Sequence, residues 1–212
     1  VNFATGKATD GFGNTDTLIS IEAMMGSRLA DRFTGGNTAL DISGEHFYGL
    51  AGDDIIDGRS GFDEVRYDRD AGFGGTKGVT VNLTTGKAID GFGNVDTLRN
   101  IESVRGTAFA DRLSGGDTDP VGPNNFFLGL GGNDVIDGGS GYDEVRYDKD
   151  VNFGGTRGVI VDLAAGKATD GFGATDTLRN IEGVRGTQYA DTLHGNDSND
   201  RSFDSLIGLG GG

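Results

Sequence analysis

The stretch GLGGNDVIDGGSGYDEVR, Gly129 to Arg146, decides how the chain is read. It consists of two adjacent nonapeptides that start at Gly129 and Gly138, each with Gly at positions 1 and 4, Asp at 6 and a β-branched residue at 8. That much glycine excludes a helix. Glycines in the first six residues supply positive φ and let backbones approach, so this part reads as a turn. The last three residues, VID and EVR, keep an apolar side chain in the middle, which reads as a three-residue strand with one inward side chain.

GLAGDDIID and GRSGFDEVR, from Gly49 and Gly58, repeat the pattern. Looser copies, GFGNVDTLR from Gly91 and GTAFADRLS from Gly106, keep Gly at 1, Asp at 6 and Leu at 8. A longer period contains them. Shifting the sequence by 80 positions carries Gly86 to Gly166, Asp54 to Asp134, Asp63 to Asp143 and Asp111 to Asp191. The 212 residues therefore read as one continuous solenoid of an 80-residue unit: 1–80, 81–160 and a partial third copy over 161–212.

Composition narrows the function. Asp and Glu number 33 against 18 Lys and Arg, a net charge of −15. This argues against nucleic acid and anionic membrane surfaces as partners and suits a chain that collects cations. Glycine, at 41 residues, is well above the usual share of about 7%. With no Cys, disulfides cannot stabilise the fold, and a bound metal is the natural substitute. No apolar run approaches the roughly 18 residues that would span a membrane, so membrane insertion is not expected. The chain opens on Val1 without a signal peptide and stops inside a repeat, which reads as a fragment of something longer.

Two nonapeptides make one coil, and coils stack into parallel strands around a narrow core. The turns then pile into columns in which each Asp faces carbonyls of a neighbouring turn. Such a site is all oxygen, irregular and anionic, as Ca²⁺ prefers. The strict aspartates are Asp54, Asp63, Asp134 and Asp143, with Gly49, Gly52, Gly58, Gly61, Gly129, Gly132, Gly138 and Gly141 shaping their turns. The looser set is Asp16, Asp31, Asp96, Asp111, Asp176 and Asp191. The competing reading is a carboxylate that merely caps its own turn. Asp10, Asp90 and Asp170 precede GFG in every unit and divide evenly between the two readings. Asp150, just past the strict repeats, is expected to matter less. Glu102 and Glu182 read as solvated or bonded to a turn, with Arg105 and Arg185 as candidate partners.

GLGGNDVIDGGSGYDEV resembles the RTX, or hemolysin-type, calcium-binding repeats. The linking part, Gly78 to Gly116, is similar to stretches that flank such repeats in bacterial secreted proteins. The resemblance implies an all-β, right-handed parallel β-roll that binds several Ca²⁺ ions. It also implies a protein sent outside the cell, commonly by type I secretion, that folds on meeting external calcium. The chain departs from a long uninterrupted array: each unit holds two strict nonapeptides, and position 2 is Leu50, Arg59 or Leu130 in three of the four.

No H-E-x-x-H helix, G-x-S-x-G elbow or Cys nucleophile is present, and His46 and His194 sit at non-equivalent places. The expectation is a non-enzymatic structural module of a larger exported protein: an adhesin, a surface-layer or filament component, or an enzyme tail. Its rival is an accessory part of an extracellular enzyme acting on polysaccharide or protein. End-to-end or lateral self-assembly, and contact with cell-surface or matrix polysaccharide, stand as further partner readings.

Overall fold

The computed structural model describes residues 1–36, 44–116, 125–196 and 204–210. Nearly every strand in it is three residues long. In most three-residue strands the middle residue points inward, and register stacks these residues one on the next. In one sheet Phe47, Val65, Val104, Phe127, Val145 and Val184 lie opposite one another on successive parallel strands. In the other, Val81, Leu113, Ile136 and Leu178 do the same. All are buried, as are Ile56 and Leu98. Each such side chain contributes about 1.5–3 kcal/mol by leaving water, so a thin apolar column holds the two sheets together.

Among the described residues the second of these sheets has eleven strands and the first has eight, running from Ala23–Met25 to Ser205–Ile207. The fold is all-β, with long parallel sheets, and is a β-roll. Three short 3-10 turns are the helical elements described. No described helix is long and apolar enough to cross a membrane.

The roll is not parallel throughout. Strand Thr80–Asn82 turns back antiparallel into Lys87–Ile89, which pairs antiparallel with Val95–Arg99. The third unit repeats this with Ile160–Asp162, Lys167–Thr169 and Thr175–Arg179. Gly86, at φ 62, closes the first reversal with its N–H on the Leu83 carbonyl. The segment from Gly91, read as a loose nonapeptide, is therefore the return arm of an inserted hairpin. Leu98 still sits opposite Ile56, so the hairpin rejoins the column in register.

Candidate metal centre

The strict turns show what the glycines are for. Position 2 has a left-handed backbone: Leu50, Arg59, Leu130 and Gly139 have φ of 67, 66, 66 and 91. At position 4, Gly132 has φ 121, and a Cβ there would stand 2.5 Å from the Phe109 carbonyl carbon of the turn stacked against it. At position 1, a Cβ on Gly49 or Gly129 would collide with Oδ2 of Asp54 or Asp134. The glycines thus make room both for the neighbouring turn and for the carboxylate at position 6.

Those carboxylates form ladders. The Asp31 N–H donates to Asp54 Oδ1 at 2.7 Å, and the Asp54 N–H to Asp96 Oδ1 at 3.0 Å. One unit on, Asp111 donates to Asp134 Oδ1 at 2.8 Å and Asp134 to Asp176 Oδ1 at 3.0 Å. Val79 and Val159 donate to Oδ1 of Asp111 and Asp191 at 2.7 and 2.9 Å. A second ladder runs along the other column. There Glu45 and Asn125 donate to Oδ1 of Asp63 and Asp143 at 3.0 and 2.8 Å. Asp63 and Asp143 donate in turn to Oε2 of Glu102 and Glu182 at 3.0 and 2.9 Å. The Gly115 N–H meets the Asp137 carbonyl at 2.8 Å, which sets that turn on the turn of Asp143; Asp117 lies outside the described residues.

Asp54, Asp63, Asp134 and Asp143 are 1% exposed or less, and Asp96, Asp111 and Asp176 are also buried. Asp31 and Asp191 are half-buried. Asp16 does not join them. It is exposed in the hairpin Lys7–Thr9/Thr15–Thr17, whereas its equivalents Asp96 and Asp176 accept the N–H of Asp54 and Asp134.

Oδ2 of Asp54, Asp134 and Asp191 accepts no hydrogen bond although it is buried. The contrast with Glu64 and Glu144 is instructive. Glu64 pairs with Arg66 and with Arg105, the latter at 3.3 Å. Glu144 pairs with Arg146 at 3.4 Å and Arg185 at 3.1 Å. Arg105 and Arg185 thus pair with these residues, their side chains reaching back one strand along the sheet. Among the described ion pairs none involves Asp54 or Asp134. Burial first, and then the charges of Asp111 and Asp176, push Asp134 up to about 9. Burial, helped by the charges of Asp31, Asp90 and Asp53, pushes Asp54 up to about 7. Burial likewise takes Asp111 to about 6, Asp96 to about 8 and Asp176 to about 7.

Among the described residues no three Asp, Glu, His or Cys side chains gather as a metal cluster. The donors on offer in each turn are single carboxylates, together with backbone carbonyls of stacked turns. An orphaned carboxylate oxygen held in a glycine cradle fits a hard cation that tolerates irregular coordination. Three segments, 46–65, 124–145 and 184–203, match the family model of the RTX calcium-binding nonapeptide repeat, in 4 copies.

The chain carries RTX calcium-binding repeats.

RTX nonapeptide repeats bind Ca²⁺ at multiple sites, and the first two matched segments contain all four strict aspartates. A comparison with curated proteins finds no match.

The nonapeptide pattern missed several residues of the ladders. Glu102 and Glu182 do bond to a turn, at the place a position-6 Asp would take, but from a strand entry whose sequence, NIE, carries no glycine signal. Glu45 and Asn125 close the turns from Gly35 and Gly115: each side chain accepts from the N–H of Gly36 or Gly116. Tyr67 and Tyr147 are interior, and their hydroxyls donate to Oδ2 of Asp96 and Asp176 at 3.2 and 3.1 Å. Asp150 is 1% exposed with an orphaned Oδ1, so its place just past the repeats does not make it peripheral.

Proposed function

We propose that this chain is an extracellular structural module of a larger exported bacterial protein, and that it folds as Ca²⁺ binds its nonapeptide turns. One observation carries the reading: Oδ2 of Asp54 and of Asp134 is buried without a donor or an ion pair, in a core that supplies arginines to Glu64 and Glu144. Removing a carboxylate from water is costly unless it is compensated. A divalent cation from outside the chain supplies the compensation, and folding then waits for it.

In this reading Asp54, Asp63, Asp134 and Asp143 are ligands of the strict turns, and Asp31, Asp111 and Asp191 extend the columns. The chain acts as one continuous solenoid over 1–212, with no catalytic group of its own. Extracellular modules work with calcium sites in the 10⁻⁴–10⁻³ M range, roughly the level found outside cells. A chain of this kind therefore stays loose inside and sets outside.

Circular dichroism tests this. The β signal should be largely absent in chelator, appear with millimolar Ca²⁺ and fail to appear with Mg²⁺, which demands a tighter octahedron. An unchanged folded spectrum in chelator would refute the reading.

A further inference from the structure

A second pair of buried carboxylates lies outside the nonapeptides, once in each of two units. After Tyr67 the chain makes the 3-10 turn Asp70–Phe73, and after Tyr147 the turn Asp150–Phe153. Asp70 and Asp150 open these turns and are each 1% exposed. Oδ2 of Asp70 accepts from the Gly91 N–H at 2.9 Å, and Oδ2 of Asp150 from Gly171 at 3.0 Å. These bonds seat Asp70 beside Asp90 and Asp150 beside Asp170.

Asp90 and Asp170 are 0% exposed. Asp90 Oδ1 accepts from Phe92, Gly93 and Asn94 at 2.9, 2.6 and 2.7 Å. Asp170 Oδ1 accepts from Phe172 and Ala174 at 3.0 and 2.7 Å. One oxygen of each carboxylate is therefore satisfied by backbone. The others, Oδ1 of Asp70 and Asp150 and Oδ2 of Asp90 and Asp170, are buried with no hydrogen-bond donor.

Turn capping explains only half of this. Asp10, the first unit's counterpart of Asp90, makes the same bonds to Phe12 and Asn14 and is not buried. What Asp70 and Asp150 add is a second carboxylate held tightly against the turn. A Cβ on Gly75 or Gly91 would come within 3.0 Å of Asp70 Cβ, and one on Gly155 or Gly171 within 2.8 or 3.0 Å of Asp150 Cβ. The Lys77 carbonyl lies 3.3 Å from the same point on Gly91, so further oxygen is at hand. Burial, with the charge of Asp90 or Asp170 adding to it, pushes Asp70 up to about 7 and Asp150 up to about 8. The Arg157 guanidinium is felt at Asp170 but forms no ion pair with it among those described.

We propose that Asp70 with Asp90, and Asp150 with Asp170, each hold one Ca²⁺ ion at a site separate from the nonapeptide turns. Oδ1 of Asp70 and Oδ2 of Asp90 are its carboxylate ligands, with Oδ1 of Asp150 and Oδ2 of Asp170 in the second copy. Backbone carbonyls and water complete the shell. Two carboxylates and neutral oxygens suit a hard, flexible cation and not Zn²⁺ or copper. The ion pins the 3-10 turn to the inserted hairpin, and so fixes the one part of each unit that leaves the parallel stack.

The test is anomalous scattering from crystals of the 212-residue chain grown in calcium. A peak is expected about 2.3–2.6 Å from Asp70 Oδ1 and Asp90 Oδ2, with a twin at Asp150 and Asp170. Peaks confined to the nonapeptide turns would overturn this proposal and leave the calcium module standing, whereas no calcium peak anywhere would overturn both. Equilibrium dialysis gives a solution count. Asp70→Asn combined with Asp150→Asn should bind two fewer ions than the parent at saturating calcium, and an unchanged count would overturn the proposal. If that variant does not fold, the map of the parent decides.

Discussion

The main-chain N–H of Asp111 donates to Oδ1 of Asp134 at 2.8 Å, across 23 residues of sequence. One oxygen of Asp134 is thereby spent on fixing the register of the next turn, and the other is left buried in the cradle of Gly129. In the proposed function, the nonapeptide aspartate thus serves both as a rung between turns and as a ligand. Register and ion binding are coupled through a single side chain, so a change at either should be felt at the other.

Acid should partly replace calcium. The unfolded value of Asp is 3.8, whereas burial holds Asp111 at about 6, Asp54, Asp70 and Asp176 at about 7, Asp96 and Asp150 at about 8, and Asp134 at about 9 in the fold without metal. Across that window the folded chain binds more protons than the unfolded one, so stability falls as pH rises. The contribution is complete below about pH 4 and is lost progressively from there up to about pH 9. In chelator, β signal should be greater at pH 5 than at pH 9, and calcium should restore it at pH 8. A signal that does not vary across this range would mean that the carboxylates are not buried as described.

Two glycine substitutions should separate the two demands of the turn. Gly139→Ala places a Cβ at φ 91, at the position where Leu130 already sits left-handed, and should cost about 1–2 kcal/mol. Gly132→Ala adds a clash with the Phe109 backbone to a φ of 121 and should cost clearly more. Thermal unfolding in saturating calcium would compare them. Equal losses would show that stacked turns do not approach as closely as the Gly132 contact requires.

Glu182 tests the second ladder. Its Oε2 accepts the Asp143 N–H at 2.9 Å, and Glu182→Ala leaves that donor without its acceptor. The expected loss is about 1–3 kcal/mol, with Glu182→Gln recovering most of it because an amide oxygen still accepts. Denaturant unfolding in excess calcium measures both. If Ala and Gln behave alike, the side chain is not the acceptor.

Much of this was legible from period nine. Ile56, Val65, Ile136 and Val145 occupy one position of a repeated nonapeptide, and a strand of three residues leaves that position only one way to face. The rungs from Glu45 to Asp63 and from Asn125 to Asp143 span the 18 residues of two nonapeptides; those from Asp31 to Asp54 and from Asp111 to Asp134 span 23 and do not follow from period nine alone. The inserted hairpin was not legible. Val81 and Leu98 alternate with polar residues, and Ala88 sits between Lys87 and Ile89, in a way that suits parallel and antiparallel strands equally, and only the turn at Gly86 distinguishes them. Nor was the burial of Asp70 and Asp150. YDRD and YDKD look like ordinary turns, and what buries the aspartate is a glycine 21 residues further on. Glu102 and Glu182 were obscured by chemistry, since a longer side chain reaches the ladder from a segment that lacks the repeat.

The most direct measurement is a calcium titration of folding, read by circular dichroism, for the parent chain beside Asp134→Asn. The amide can still accept the Asp111 N–H through its oxygen but brings no charge to a divalent ion, so turn geometry is kept while ligation is weakened. The account predicts that the calcium midpoint rises by about tenfold or more, since even groups that only support a ligand are worth 10–100-fold in affinity. Coincident curves for the two chains would mean that Asp134 is a turn cap and not a calcium ligand, and would contradict the account at its centre.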